Sequence, residues 1–419
     1  MNRHLQKSRW MGISLPMFVI LCHFSNLPDA RGAEGLRLLP ESAEALGKAG
    51  GKFANLSDPS VVRFNPANLG LIDGSEFMMS TSLLHGSTSY SSLNGNDKME
   101  SPWKYSGGFY FATNVPDSPW AYGFGLSAPT GLDMKWDRDG VLARGGAAPY
   151  KALLFNSALS PAASYQINDC FSVGVGVDIT FSYLELAQVY PAAIADSLKI
   201  KGDGWGFSPV VSFAWDVADR HRLAVIARAP MKVDYEGKAD FTNNVPAAIP
   251  NPRSKFESEI EFAGSVAVGY SFDISDDFRI GVDYEWIQNS THDDLVLNLG
   301  ANQGFVPPPN NRTILDWDDS WNLGFSLEKD VCEVLTLRGG YMYSKSPMPD
   351  RTFTPVIPAN DRHLITTGIG IKRECHSIDA AYALGIYEDR DITNNQQALF
   401  NGHWEYLWHQ FTVSYTYSF

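Results

Sequence analysis

From about Phe77 onward, large apolar side chains alternate with small or polar ones. In Phe171-Ser-Val173-Gly-Val175-Gly-Val177-Asp-Ile179-Thr-Phe181-Ser-Tyr183 the odd positions are large and apolar and the even ones small or polar. Successive side chains of a strand point to opposite faces, so this rhythm predicts a strand with one greasy face and one that is not. It recurs in Trp205-Phe207-Pro209-Val211-Phe213-Trp215, in Ile260 to Phe272 and in Ile280-Val282-Tyr284-Trp286. It closes the chain in Phe411-Thr-Val413-Ser-Tyr415-Thr-Tyr417-Ser-Phe419.

A soluble sandwich alternates too, but three features favour a membrane barrel. The strands run to about 10 residues or more, the length a tilted membrane strand needs. Several apolar faces carry aromatics near their ends, where an interfacial girdle lies. The last residue, Phe419, ends an alternating strand, resembling the terminal signal read by the barrel assembly machinery of the outer membrane.

The pattern predicts strands near 77–90, 103–113, 120–128, 155–167, 171–189, 204–216, 222–237, 256–272, 278–292, 320–327, 334–344, 364–371, 377–387 and 409–419, which makes 14. Asn168-Asp169, Ala218 to His221, Ile274 to Asp277 and Lys372 to His376 are short connections. The segments 129–154, 238–255, 293–319, 345–363 and 388–408 are longer and rich in Pro, Asn and Gly. Short turns at one rim and long loops at the other are the layout of an outer-membrane barrel. An even count puts both chain ends at the periplasmic rim and the long loops outside. Closure leaves no sheet edge, as a lipid interior demands.

Two segments stand apart from the barrel, residues 75–419. Arg3, Lys7 and Arg9 precede an apolar run from Trp10 to Leu21, too short to span a bilayer comfortably, and Ala30-Arg31-Gly32 fits a small-x-small cleavage site. Residues 1–32 therefore read as a signal peptide for export. Cys22 does not make a lipoprotein site, because Leu21 precedes it where a small residue is needed. Residues 33–74 do not alternate. Asp58-Pro59 and Asn65-Pro66 each pair an N-cap residue with Pro at the first helical position. So short and apolar a helical segment cannot stand alone, and its expected place is the barrel lumen, as a plug.

Composition narrows the function. The chain has 419 residues, a net charge of −14, and Phe 24, Tyr 18 and Trp 11. An acidic surface excludes a nucleic-acid partner, since phosphates need cations. The Cys are too few for a disulfide scaffold, and no CxxC pair or His/Cys cluster has zinc spacing. Neither the His nor any Ser/His pair shows a catalytic arrangement, so no enzyme, metal or cofactor is expected. Cys170, Cys332 and Cys375 all fall at expected periplasmic turns, where a Cys332–Cys375 disulfide is open to them.

The stretch Gly47-Lys-Ala-Gly-Gly-Lys-Phe-Ala-Asn-Leu-Ser-Asp58-Pro-Ser-Val-Val-Arg-Phe-Asn65-Pro66-Ala67-Asn-Leu69 resembles the hatch of the long-chain fatty-acid transporter (FadL) family, with Asn65-Pro66-Ala67 as that family's hatch motif. In the same order, Ser160-Pro161-Ala-Ala-Ser-Tyr165-Gln-Ile-Asn-Asp169 resembles its fourth strand and turn, and Gly202-Asp-Gly204-Trp205-Gly206-Phe207 the start of its sixth. Leu337-Arg338-Gly-Gly340-Tyr341 through Pro347-Met-Pro349-Asp350, and on to Pro358-Ala-Asn-Asp361-Arg362, resembles a strand-and-loop signature. The resemblance spans essentially the whole chain after residue 32. It implies a monomeric 14-stranded antiparallel outer-membrane β-barrel plugged by an N-terminal helical hatch. It implies uptake of long-chain fatty acids, or of aromatic hydrocarbons and other hydrophobic small molecules, amid outer-membrane lipid and lipopolysaccharide. The implied route is capture at the loops, lumen binding, hatch rearrangement and lateral exit at an inward kink of the third strand. The matching stretch is Ser127-Ala128-Pro129-Thr130-Gly131, where Pro lacks a ladder N–H and Gly tolerates unusual angles. An ordinary strand end before a loop is the other reading of these residues.

Holding a fatty-acid carboxylate in a partly dry lumen favours Arg, whose planar fork binds it two-point. Leu223, Val225, Ala227 and Ala229 share one face, which turns Arg228 to the lumen. Leu335, Leu337, Tyr341 and Tyr343 do the same for Arg338. Pairing with inward acids such as Asp178, Asp283 or Glu285 is the competing role for both. Asp318 and Asp319 make the mouth acidic, which keeps a neutral hydrocarbon substrate open. A polar porin would carry more inward charge than the small inner faces of the fifth, sixth and twelfth strands.

Overall fold

The computed structural model describes residues 34–144, 148–190, 197–242, 252–306 and 311–419. The segment read as a signal peptide, 1–32, lies outside them. The strands are β1 (Ser75–Ser92), β2 (Lys104–Asn114), β3 (Trp120–Ser127 and Gly131–Lys135), β4 (Pro149–Asn168), β5 (Phe171–Val189), β6 (Ser197–Ala218) and β7 (His221–Arg228 and Met231–Thr242). They continue as β8 (Arg253–Phe262 and Ser265–Ser275), β9 (Phe278–Ile287), β10 (Ser320–Cys332), β11 (Leu335–Ser344), β12 (Arg362–Arg373), β13 (His376–Tyr387) and β14 (Gly402–Ser418). Each pairs antiparallel with the next, and β14 returns to β1 from Glu76↔Ser418 to Ser91↔His403, closing a 14-strand barrel. No described helix is long and apolar enough to cross a membrane.

The outer face is apolar and the inner face small or polar. On β6, Trp205 and Phe207 are each 60% exposed, while Gly204, Gly206, Ser208 and Ser212 face inward. That inversion of a soluble protein's surface suits a lipid surround.

Several strands run longer than their alternation predicts, among them β4, β6, β10 and β14, and three of the longer ones are broken in the middle. On β3, β7 and β8 the inward set switches parity across Ala128–Thr130, Ala229–Pro230 and Ala263–Gly264. Beyond the break in β7 the outward residues are Lys232, Asp234 and Glu236, and the inward ones Met231, Val233 and Tyr235. The expected loops 129–154 and 238–255 are therefore partly strand. Their outward face meets polar surroundings rather than hydrocarbon, so the greasy face turns inward and the alternation slips phase. The stretch 293–319 likewise contains a short hairpin, Asp294–Val296 against Arg312–Ile314.

The lumen holds the N-terminal segment: α1 (Ala43–Lys48), α2 (Lys52–Asn55), α3 (Val61–Phe64) and a 3-10 helix over Pro66–Leu71. Ala45, Leu56, Val61 and Leu69 are fully buried. Burying a Val or Leu contributes roughly 1.5–3 kcal/mol, so the segment's few large apolar side chains can hold it in place. The barrel makes room by shedding side chains. A Cβ on Gly324 of β10 would lie 2.6 Å from the Cα of Gly50, and one on Gly340 of β11 would lie 2.6 Å from the carbonyl oxygen of Lys48.

Candidate functional site

Asn65, Pro66 and Ala67 form the joint between the plug and the wall. The Asn65 side chain accepts from the Ala67 N–H at 3.1 Å, capping the 3-10 helix, while its Nδ2 donates to the Phe53 carbonyl at 2.7 Å. Pro66 occupies the first turn, where a missing N–H costs nothing. The Ala67 N–H also donates to Ser212 Oγ of β6 at 2.9 Å, and Ser172 Oγ of β5 donates to the Ala67 carbonyl at 2.9 Å. The other capped start differs slightly. Asp58 accepts from the Ser60 N–H at 2.8 Å, and α3 begins at Val61 rather than beside Pro59.

Arg228 points into the lumen and pairs with Asp178 of β5. It also donates to the Arg63 carbonyl at 2.6 Å, at the C-terminal end of α3. Arg338 lies nearer the rim of short turns. It donates to Glu328 at 2.7 Å and Asp379 at 2.5 Å, and stands 4.0 Å from Glu44 of α1. Lys48 completes this cluster with Glu44 at 2.7 Å and Glu328 at 3.1 Å. The two arginines are thus not brought together: one meets α3, the other α1 and the barrel's inner end. Glu285 pairs with Arg37 at 2.8 Å, and Asp283 accepts from the Lys52 N–H at 2.8 Å.

Between them lies a lumen cavity of about 30 Å³ whose lining includes Arg37, Lys52, Arg63, Phe64, Glu285 and Asn322. Among the described residues, Arg37 Nη1 and Arg63 Nε are buried without a hydrogen-bond partner. A buried guanidinium N–H left without a partner beside a cavity suits an anionic head group. The volume is far below the several hundred Å³ of a typical ligand pocket, whereas a larger, polar cavity of about 630 Å³ lies at the inner end beside Asp58, Glu328 and Arg338. Arg37 and Arg63 escape sequence reasoning because neither sits on an alternating strand. The available signal was a charge-rich stretch, Arg37 to Arg63, within a segment expected to be buried.

Ladder pairing in the wall is interrupted along the third strand, as it also is between β6 and β7 from Val210↔Arg228 to Glu236↔Asp203. The first segment of β3 pairs with β2 from Asn114↔Ala121 to Phe109↔Leu126 and with β4 as far as Ser127↔Ala158. Its second segment, Gly131–Lys135, pairs with β4 alone. Lys104–Gly108 of β2 keep partners only on β1. Backbone pairing between β2 and β3 therefore stops halfway up the barrel. Lys104 and Asp133 form an ion pair across the outer part of the gap. On the lumen side the plug supplies the missing bonds: Leu38 N–H donates to the Pro129 carbonyl at 3.0 Å, and Gly131 N–H to the Leu36 carbonyl at 3.0 Å. Glu41, 6% exposed, accepts from Ser106 Oγ of β2 at 2.7 Å and from the Ala128 N–H of β3 at 2.9 Å, and Tyr110 donates to it at 3.3 Å. Burial pushes the Glu41 carboxyl above its usual range.

Cys170, Cys332 and Cys375 are free thiols. At the outer rim Asp389, His403 and Glu405 bring possible ligand atoms within 4.8 Å of one another, but they are exposed or half-buried and His403 is bonded to Asp391 at 2.8 Å. Phe419 exchanges backbone hydrogen bonds with Ser75 at 2.9 and 3.2 Å, tying the two barrel ends.

A family model described as "Outer membrane protein transport protein (OMPP1/FadL/TodX)" matches residues 29–419. A putative outer membrane protein of Neisseria meningitidis serogroup B is 24% identical over 399 residues, covering 84% of this chain and 85% of its own. The long-chain fatty acid transport protein of an Escherichia coli O6:H1 strain is 22% identical over 243 residues, 50% of this chain and 53% of its own. Among solved structures, a Pseudomonas aeruginosa FadL homologue superposes with a TM-score of 0.80 at 18% identity, over 92% of this chain and 100% of that one. The Pseudomonas putida toluene transporter TodX gives 0.70 at 14% identity, over 92% and 100%. At these identities the structural likeness speaks for the fold.

Proposed function

The chain belongs to the outer membrane protein transport family (OMPP1/FadL/TodX), and on that premise we propose that it takes long-chain fatty acids into the cell by lateral exit through the wall. The family is one of outer-membrane channels for hydrophobic compounds, not of enzymes. The carrying observation is the stretch between Lys104–Gly108 and Gly131–Lys135 without ladder pairing, which the plug's Leu36–Leu38 covers from the lumen side and which the Lys104–Asp133 ion pair and the Glu100 N–H to Lys135 carbonyl bond span further out. A hydrophobe that leaves sideways passes from the lumen straight into hydrocarbon without entering water at the inner mouth, so an opening in lipid-facing wall suits it and a polar pore does not. Ser127, Ala128, Pro129, Thr130 and Gly131 form the exit kink in this reading. Arg228, with Arg37 and Arg63 beside it, meets the carboxylate, and Arg338 keeps the plug seated at the inner end. Residues 1–32 are the signal peptide, 33–74 the hatch and 75–419 the barrel. The protein works as a monomer among lipid and lipopolysaccharide, assembled through its Phe419 signal.

An aromatic-hydrocarbon substrate is the second reading. Asp318 and Asp319 are exposed at the mouth and would repel a fatty-acid anion. The toluene transporters TodX of Pseudomonas putida and TbuX of Ralstonia pickettii share the fold. A polar porin fits poorly, since the plug fills the lumen with buried apolar side chains such as Leu46, Leu56 and Leu69.

The test has two parts. Native mass spectrometry with lipid extraction on the detergent-purified barrel should find a bound long-chain fatty acid; binding of added alkylbenzenes alone selects the second reading. Then, with Cys170, Cys332 and Cys375 replaced by Ser, a short bis-maleimide bridge between Lys104→Cys and Asp133→Cys should leave binding intact and block delivery to the bilayer. Delivery undiminished by the bridge overturns the lateral route.

A further inference from the structure

We infer that Glu41 is the latch of the wall gap, the one side chain of the plug that ties β2 to β3 at the point where their backbone pairing ends. The inference rests on the lateral-exit reading for its purpose but not for its geometry. Pairing between β2 and β3 ends at Phe109↔Leu126. Above that point the next donors on the two edges are Ser106 Oγ and the Ala128 N–H. Both converge on Glu41 Oε1, at 2.7 and 2.9 Å, and Tyr110 holds Oε2 at 3.3 Å. One carboxyl thus does the work of a missing rung, reaching from the plug to both lips of the opening. Unlike a rung, it leaves whenever the plug moves.

The position explains how plug movement becomes wall opening. Pro40, next to Glu41, accepts from Gln410 Nε2 of β14 at 2.8 Å, and Ala43 N–H donates to Ser414 Oγ at 2.9 Å, so the plug is anchored on the far side of β1. On the other side, Leu36–Leu38 lie along Pro129–Gly131. Glu41 sits between these anchors. Any shift that carries Arg37 or Arg63 toward an arriving head group pulls on the segment whose carboxyl closes the gap. Glu41 is a positioning residue in this scheme: it touches the wall, not the substrate.

Glu41→Gln preserves an acceptor oxygen and side-chain length; Glu41→Ala removes the tie. The first readout is hydrogen exchange in the full-length barrel, without substrate. In Glu41→Ala the amides of Ala128, Leu38 and Gly131 should exchange about tenfold faster or more, the effect of one lost buried hydrogen bond. Glu41→Gln should stay near wild type. The second readout loads radiolabelled oleate into reconstituted barrels and follows its appearance in the bilayer, which Glu41→Ala should speed severalfold with oleate capture retained. Ser106→Ala, which removes only the β2 half of the tie, guards against misfolding and should give a smaller increase in both. Wild-type exchange at Ala128 in both Glu41→Ala and Ser106→Ala overturns the latch. Fast exchange in Glu41→Ala, together with no oleate release from any barrel, supports the latch and sinks the fatty-acid reading instead.

Discussion

Arg228 of the barrel wall donates to the carbonyl oxygen of Arg63 at 2.6 Å while paired with Asp178. The bond satisfies a carbonyl at the end of α3 that has no helical partner and fastens the plug to β7 through charge. The same guanidinium lies near Arg37 and Arg63, each of which has one buried nitrogen without a hydrogen-bond partner.

Replacing Arg228 by Ala should cost on the order of 3–5 kcal/mol, because it strands the buried Asp178. Ser160 still donates to Asp178 at 2.5 Å, which keeps the loss toward the lower end. Asp178→Asn in the same chain should recover much of the stability, as read by thermal unfolding in detergent. The double variant should still bind fatty acid about tenfold more weakly than wild type, with alkylbenzene binding unchanged. Equal loss for both ligands would show that Arg228 only holds the fold.

Asn65→Ala removes a helix cap and the bond to Phe53. The cap alone is worth about 1 kcal/mol, and the Phe53 carbonyl keeps its bond from Asn68 Nδ2 at 3.1 Å, which holds the total loss near that figure. Limited proteolysis should cut the plug of this variant faster, and planar-bilayer recordings should show ion conductance that the wild type lacks. A silent, protease-resistant Asn65→Ala barrel would remove the motif from the gating account.

Asp58 makes the plug's seating sensitive to pH. Burial first, and the nearby Glu44 charge second, raise its carboxyl from 3.8 to about 7, against the hydrogen bonds from Ser42 and Ser60. A group whose folded pKa is raised favours the folded state when protonated. Its contribution is full below about pH 4 and fades as pH rises through about 7. Protection of the plug from protease should therefore fall across that window, and Asp58→Asn, a standing mimic of the protonated acid, should flatten the profile. A wild-type profile that rises with pH would contradict the assignment.

Much of this architecture is readable along the chain because a lipid surround imposes one rule on every spanning strand. Outward positions must be apolar and inward ones need not be, so runs such as Phe171 to Tyr183 announce both strand and face. The Asn65-Pro66 cap is local chemistry and equally readable. What the alternation could not carry begins where the surround changes. Above the breaks in β3, β7 and β8 the outward face is polar and the phase reverses, so strands such as Met231–Thr242 read partly as loop. The inward direction of Arg228 follows from parity, but its partners do not, because Asp178 and Arg63 are 50 and 165 residues away in sequence. Glu41 is the extreme case. Nothing in Leu-Pro-Glu-Ser marks it, and only barrel closure, which brings Ser106 and Ala128 to either side of a missing rung, gives that carboxyl a place to act. Periodicity is a property of the chain and its solvent; the pairing of distant side chains is decided when the barrel closes around its plug.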